Sequence, residues 1–179
     1  MDLHRTCSPF VVAMLLTTTV ACNANDSSRE TFSLDSLVKQ FAYYYLAEEF
    51  SNAAGLFHCP EYFTPAELEA DRAGLAESLE IMTRLYGPLR STSPAHGGVW
   101  FGPTTSCGTA GYWKHYPLEE TRIIRTEQRE SESGYLIFQF SRIDGASVLF
   151  QFGHGLRADH PEARSRARRF IAEKLKKKW

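Results

Sequence analysis

The sequence predicts an α+β domain in which N-terminal helices pack on a curved, cone-like antiparallel sheet, with an amphipathic helix at the C-terminus. Three observations carry this: two helical periodicities before residue 87, a succession of aromatic and β-branched segments from residue 112 to 152, and a basic periodic segment after residue 158. The first helix is expected to open at Ser33, whose hydroxyl can cap a run in which Leu34, Leu37, Val38, Phe41, Tyr44 and Tyr45 recur at helical spacing. It is expected to reach Phe50 or a little beyond, with Phe32 stapled against Leu37. The second helix starts at Phe63-Thr64-Pro65-Ala66-Glu67-Leu68. Thr64 is its cap, Pro65 presets the first turn, Glu67 closes a capping box, and Phe63 with Leu68 supplies the staple. Leu68, Leu75, Leu79, Met82 and Tyr86 line one face, and Gly87-Pro88 offers a left-handed position followed by a residue that cannot continue a helix.

Residues 91–111 change to Gly, Pro, Ser and Thr around the apolar island Val99-Trp100-Phe101, which predicts loops about one brief strand. Strands are then expected at 112–116, 121–128, 135–142 and 147–152, with a polar loop at 130–134 and a tight two-residue turn at Asp144-Gly145. Asp159-His160-Pro161-Glu162 starts the last helix, in which Ala163, Ala167, Phe170, Ile171 and Leu175 share a face among arginines and lysines.

Ahead of the domain, a weakly positive start is followed by an apolar stretch from Phe10 to Ala21 that is too short to span a bilayer. With Thr19-Val20-Ala21-Cys22 it resembles a bacterial lipoprotein signal, which implies cleavage before Cys22 and lipidation of that cysteine. Thr19-Val20-Ala21 equally suits an ordinary signal peptidase, so plain secretion stays open. The expected organisation is a signal peptide at 1–21, a lipidated polar tether at 22–31, and one domain at 32–179. Asn23 after the anchor, by the same resemblance, points to an outer-membrane, periplasm-facing address.

A 43% hydrophobic and 23% charged composition excludes disorder and membrane-spanning classes for the mature part. The overall charge of −1 hides a basic end, with nine Lys or Arg against three Asp or Glu over residues 157–179. Two readings of that end stand: contact with anionic lipid, or an apolar stripe on the sheet with the charges in water. If Cys7 leaves with the signal and Cys22 takes lipid, Cys59 and Cys107 remain, either as a disulfide or as two buried thiols. Two widely separated cysteines lack zinc-site spacing, and no metal or cofactor is expected.

Residues 57–91, with a Phe-Thr-Pro-capped helix ending in Leu-Tyr-Gly-Pro-Leu-Arg-Ser ahead of long strands, resemble the small exported members of the nuclear transport factor 2-like superfamily, the cone-shaped fold shared with ketosteroid isomerase. The resemblance is one of order and length, carries no catalytic residue onto this chain, and leaves a cystatin-like helix-on-sheet fold open. No phosphate loop, dinucleotide fingerprint, paired-histidine zinc helix or Gly-x-Ser-x-Gly elbow is present. His154 is the one catalytic candidate, expected on the same face as Val148, Phe150 and Phe152, where an imidazole at the mouth of a cone could move a proton. Its competing reading is a strand-end histidine bonded to backbone or water. Tyr44, Trp100, Tyr112, Phe150 and His154 are the candidate pocket for an apolar ligand, against the plainer reading of aromatic core. The function expected from all this is a membrane-anchored envelope lipoprotein that binds a small apolar ligand or an envelope protein, not nucleic acid, without catalysis. The alternative is an acid/base enzyme of isomerase or dehydratase type.

Overall fold

A computed structural model of the chain describes residues 33–94, 99–129 and 132–176, so the expected signal segment, Cys22, the expected tether and Phe32 lie outside the described residues. The elements are α1 (Leu34–Leu46), α2 (Phe50–Gly55), α3 (Pro65–Tyr86), β1 (Ser91–Pro94), β2 (Trp100–Phe101), β3 (Thr104–Ser106), α4 (Ala110–Trp113), β4 (Leu118–Arg129), β5 (Glu132–Ile143), β6 (Ala146–Arg157) and α5 (Ala163–Lys176). The fold is α+β, with a six-stranded antiparallel curved sheet in the order β1-β4-β5-β6-β2 and β3 also paired to β6.

Local chemistry explains most of these boundaries. Ser33 caps α1 by accepting from the Ser36 N–H, and Thr64 and Glu67 form the capping box expected for α3. The Asp144-Gly145 turn has both residues at positive φ, 50° and 81°, the geometry that a two-residue hairpin needs. Several sequence expectations are corrected, among them the one brief strand at 91–111, where β1, β2 and β3 all form. The first helix does not run to Phe50: Glu48 takes a left-handed φ of 59°, and the Glu48 and Glu49 N–H groups turn back to the Tyr45 and Tyr44 carbonyls, a Schellman-type ending without the usual glycine. Residues 112–116 are not a strand, because Thr109 accepts from the Tyr112 N–H and caps the helical turn α4. Glu132, Ser133 and Gly134 belong to β5 and pair with β4, so the polar loop is shorter than expected.

The core lies between the helices and one face of β5 and β6. Phe41 of α1 is fully buried at its centre, with ring centroids of Phe152, Phe138 and Phe57 at 4.6, 5.3 and 5.8 Å. A register shift shapes that face: Gln139 pairs with Gln151, but Phe140 pairs with Leu149, leaving Phe150 without a ladder partner. Leu149 therefore joins Phe138, Phe140 and Phe152 in the core, while Phe150 packs on Trp113. Simple alternation had put Phe150 with Phe152 and His154; the bulge breaks that alternation. Cys59 and Cys107 form a disulfide that ties the α2–α3 junction to the segment between β3 and α4. Beside it, Asp71 accepts from the Gly108 N–H, and the Trp113 indole N–H donates to the Cys107 carbonyl.

Candidate functional site

His154 stands on β6 opposite Leu136 of β5, on the face that the helices cover, and it is completely buried. Both ring nitrogens are engaged: Nδ1 lies 2.7 Å from the Tyr45 hydroxyl of α1, and Nε2 lies 2.5 Å from Nε2 of Gln128 on β4. With the Gln128 amide nitrogen donating, Nε2 is the acceptor and Nδ1 carries the proton that it gives to Tyr45; this tautomer follows from the orientation assigned to the amide. Tyr86 of α3 stacks on the imidazole at 4.6 Å and 29°, and the Arg166 guanidinium of α5 sits 5.9 Å from the Tyr86 ring centre. Arg166 is itself buried and is held by Glu132 through two hydrogen bonds of 2.9 and 3.2 Å and by Glu162 at 2.6 Å.

The surroundings fix the charge state of this group. Burial, and secondly the Arg166 cation, push the His154 pKa down to about 3, so the imidazole is neutral at neutral pH. Burial likewise drives the Tyr45 and Tyr86 hydroxyls above their ordinary range, so both keep their protons. The Gln128 Oε1, Thr126 Oγ1 and Tyr86 hydroxyl are buried without a hydrogen-bond partner among the described residues, which makes this a polar interior that is only partly satisfied. Gly134 leaves the space for it: a Cβ there would lie 2.3 Å from the Gln128 amide nitrogen and 2.8 Å from Thr126 Oγ1.

The five residues expected to line a pocket do not converge. Tyr44 is partly buried on α1 against the ring of Tyr43, and its neighbour Tyr45 is the residue that meets His154. Trp100 lies over Gly153 and Gly155, where a Cβ would come within 2.8 and 2.7 Å of the indole. Tyr112 belongs to a separate aromatic group with Tyr62, Trp113 and Tyr116, to which Phe150 adds its ring through Trp113. His154 is placed within the core and not at a mouth. The partners that sequence reasoning missed are Gln128, Tyr86 and Arg166. Arg166 left a legible signal, since at helical spacing it falls among Ala163, Ala167 and Phe170, where an arginine needs a buried counter-charge.

Two concavities among the described residues bear on ligand access. A small one of about 30 Å³ lies between Tyr45, Thr83, Gly87 and Pro88, room for a single water. A groove of about 520 Å³ between α2 and α3 is lined by apolar Phe50, Ala73 and Ala76 together with the acidic Glu48, Glu49, Glu77 and Glu80. Among the described residues, the grouping with metal-ligand character is Cys59, Asp71 and Cys107, whose two sulfurs are bonded to each other. No protein-family model matches this chain, and neither a characterised protein nor a solved structure matches it.

Proposed function

We propose that the chain is an exported envelope lipoprotein, anchored through Cys22 and facing the periplasm, whose single domain binds a partner or ligand without catalysis. The observation that carries the non-catalytic reading is His154 itself: it is sealed from solvent, engaged at both nitrogens and held neutral, and the space touching its partner Tyr45 has room for one water and not for a substrate. The address is supported by the apolar stretch that ends at Cys22, and the Cys59–Cys107 disulfide fits an oxidising compartment. In this reading the helices and curved sheet make the cone-like core that the superfamily resemblance implies, and the Tyr86, Leu156 and Ala163 cluster closes the end where His154 lies.

Among the described residues the larger concavity lies at the surface, and binding is assigned to it. The α2–α3 groove has the volume of a ligand site, and the Glu48 and Glu80 carboxylates along it suit a cationic, partly apolar segment of an envelope protein. Fatty-acid labelling in a bacterial host tests the address: wild type should incorporate label and Cys22→Ser should not. A full-length, unlabelled chain in the cytosol would overturn it. Titration with a short lysine- and leucine-containing peptide, followed by amide shifts, tests the surface. Shifts at Ser51, Asn52 and Ala76 are expected; shifts confined to His154 and Gln128 would instead return the function to the interior.

A further inference from the structure

We infer that the outward face of α5 docks the domain on an anionic phospholipid bilayer. This helix has two apolar stripes, and the fold uses one. Ala163, Ala167 and Phe170 are buried, and Arg166 beside them is neutralised by Glu132 and Glu162. Arg164, Arg168, Ile171 and Leu175 follow one another at steps of four, three and four residues, which places them in an exposed line about 110° around the helix from the buried stripe. Ile171 is 58% exposed and Leu175 55% exposed, although a solvated helix face gains nothing from two large aliphatic side chains.

The charges on this line point to the occupant. Lys174 is committed to the Gly74 carbonyl and Glu77, and Glu173 is committed to Arg84, whereas Arg164 and Arg168 form no ion pair with the described residues. Two free guanidiniums in register with two aliphatic side chains match the boundary between lipid phosphates and acyl chains. Ile171 and Leu175 enter the apolar side, and the arginine stems reach back to the phosphates. A second copy of the chain is a poorer occupant, because an antiparallel two-fold contact centred on this line would set Arg164 and Arg168 against Leu175 and Ile171 and offer the guanidiniums no counter-charge from the line itself. The inference deepens the anchored-lipoprotein reading, since a lipid at Cys22 would hold the domain beside such a surface.

The test uses the mature chain from position 22 carrying Cys22→Ser, so that no acyl chain contributes, with vesicles of phosphatidylcholine alone or mixed with phosphatidylglycerol. Co-sedimentation should require phosphatidylglycerol and weaken with salt. Arg164→Gln with Arg168→Gln, and separately Ile171→Ser with Leu175→Ser, should each cut it about tenfold or more. All four side chains are exposed, so an unchanged melting temperature checks that the variants fold. Lys39→Gln on α1 is the control and should bind as the parent does. No binding by the parent, equal binding by the variants, or a loss shared by Lys39→Gln would overturn the inference. Self-association abolished by the same substitutions, without vesicle binding, would overturn it in favour of a second copy. The anchor is judged apart: vesicle binding by a chain that takes no fatty acid in cells would sink the anchor alone, and labelling without vesicle binding would sink the α5 face alone.

Discussion

The two ends of β6 enclose aromatic rings by different means. Toward its C-terminal end, His154 is held by Tyr45, Tyr86 and Gln128 through packing and shared hydrogen bonds, with no covalent link and no exposed surface of its own. Near its start, Phe150 lies on Trp113 at 4.8 Å, and the group continues through Tyr112 and Tyr116 out to Tyr62, which is 64% exposed. A disulfide staples this second group from beneath. The first end therefore depends on the whole core staying closed, while the second is secured locally and can keep rings at the surface.

Breaking the shared core should cost most. Phe41 touches rings on the way to both ends, so Phe41→Ala is expected to destabilise by about 3–5 kcal/mol in denaturant titration, through lost transfer energy and the cavity left behind. A cost below about 1 kcal/mol would mean that the core is not organised around it. Next comes the staple. Cys59→Ala with Cys107→Ala opens a loop of 48 residues and should cost about 4 kcal/mol on the chain-entropy argument. It should also raise hydrogen exchange around Trp113 more than around His154, and the reverse ordering would remove the contrast between the two ends.

Acid should attack the His154 end selectively. The folded-state pKa of about 3 lies below the ordinary unfolded value, so the unfolded chain takes up the proton first as pH falls. This contribution is complete above about pH 6.5 and is lost toward pH 3, at about 1.4 kcal/mol per pH unit, or about 2 kcal/mol by pH 5. Carboxylates titrate over the same range, so the readout is the difference between wild type and His154→Gln: the variant should be less stable at neutral pH and its stability should fall less steeply below pH 6.5. Parallel curves would show that His154 is already solvated and charged. Gly134→Ala should act on the same network from behind, displacing Gln128 at a cost of about 1–3 kcal/mol, with a shift in the His154 ring signals that an equivalent change at Gly55 would not produce.

Elements whose signals are local were readable from the chain: the Thr64 to Glu67 box, the Asp144-Gly145 turn and the three long strands all rest on residues within a few positions of each other. What escaped reading depends on tertiary context. Nothing around Glu48 announces a left-handed residue, because glycine is the usual marker and a glutamate fills the position here. The bulge at Phe150 is equally silent, and it decides that Leu149 and not Phe150 faces the helices. His154 was identifiable as the residue to watch, but its partners come from α1, α3, β4 and α5, far apart in sequence, and only the folded chain brings them together.

The smallest expected effect sharpens the contrast most. Tyr62 contacts Phe63 and Tyr112 edge-on at 5.2 and 5.7 Å yet remains largely in solvent, so Tyr62→Ala removes little buried area. Its cost should stay below about 1 kcal/mol, the range of an exposed aromatic pair. Tyr45→Phe, which deletes one oxygen and no ring, should cost more, about 1–3 kcal/mol, because it strands the Nδ1–H of His154 in a dry interior. If removing the whole Tyr62 ring proved costlier than removing the Tyr45 hydroxyl, the exposed group would be the stabilising one, and the interior network would have to be wetter than its geometry implies.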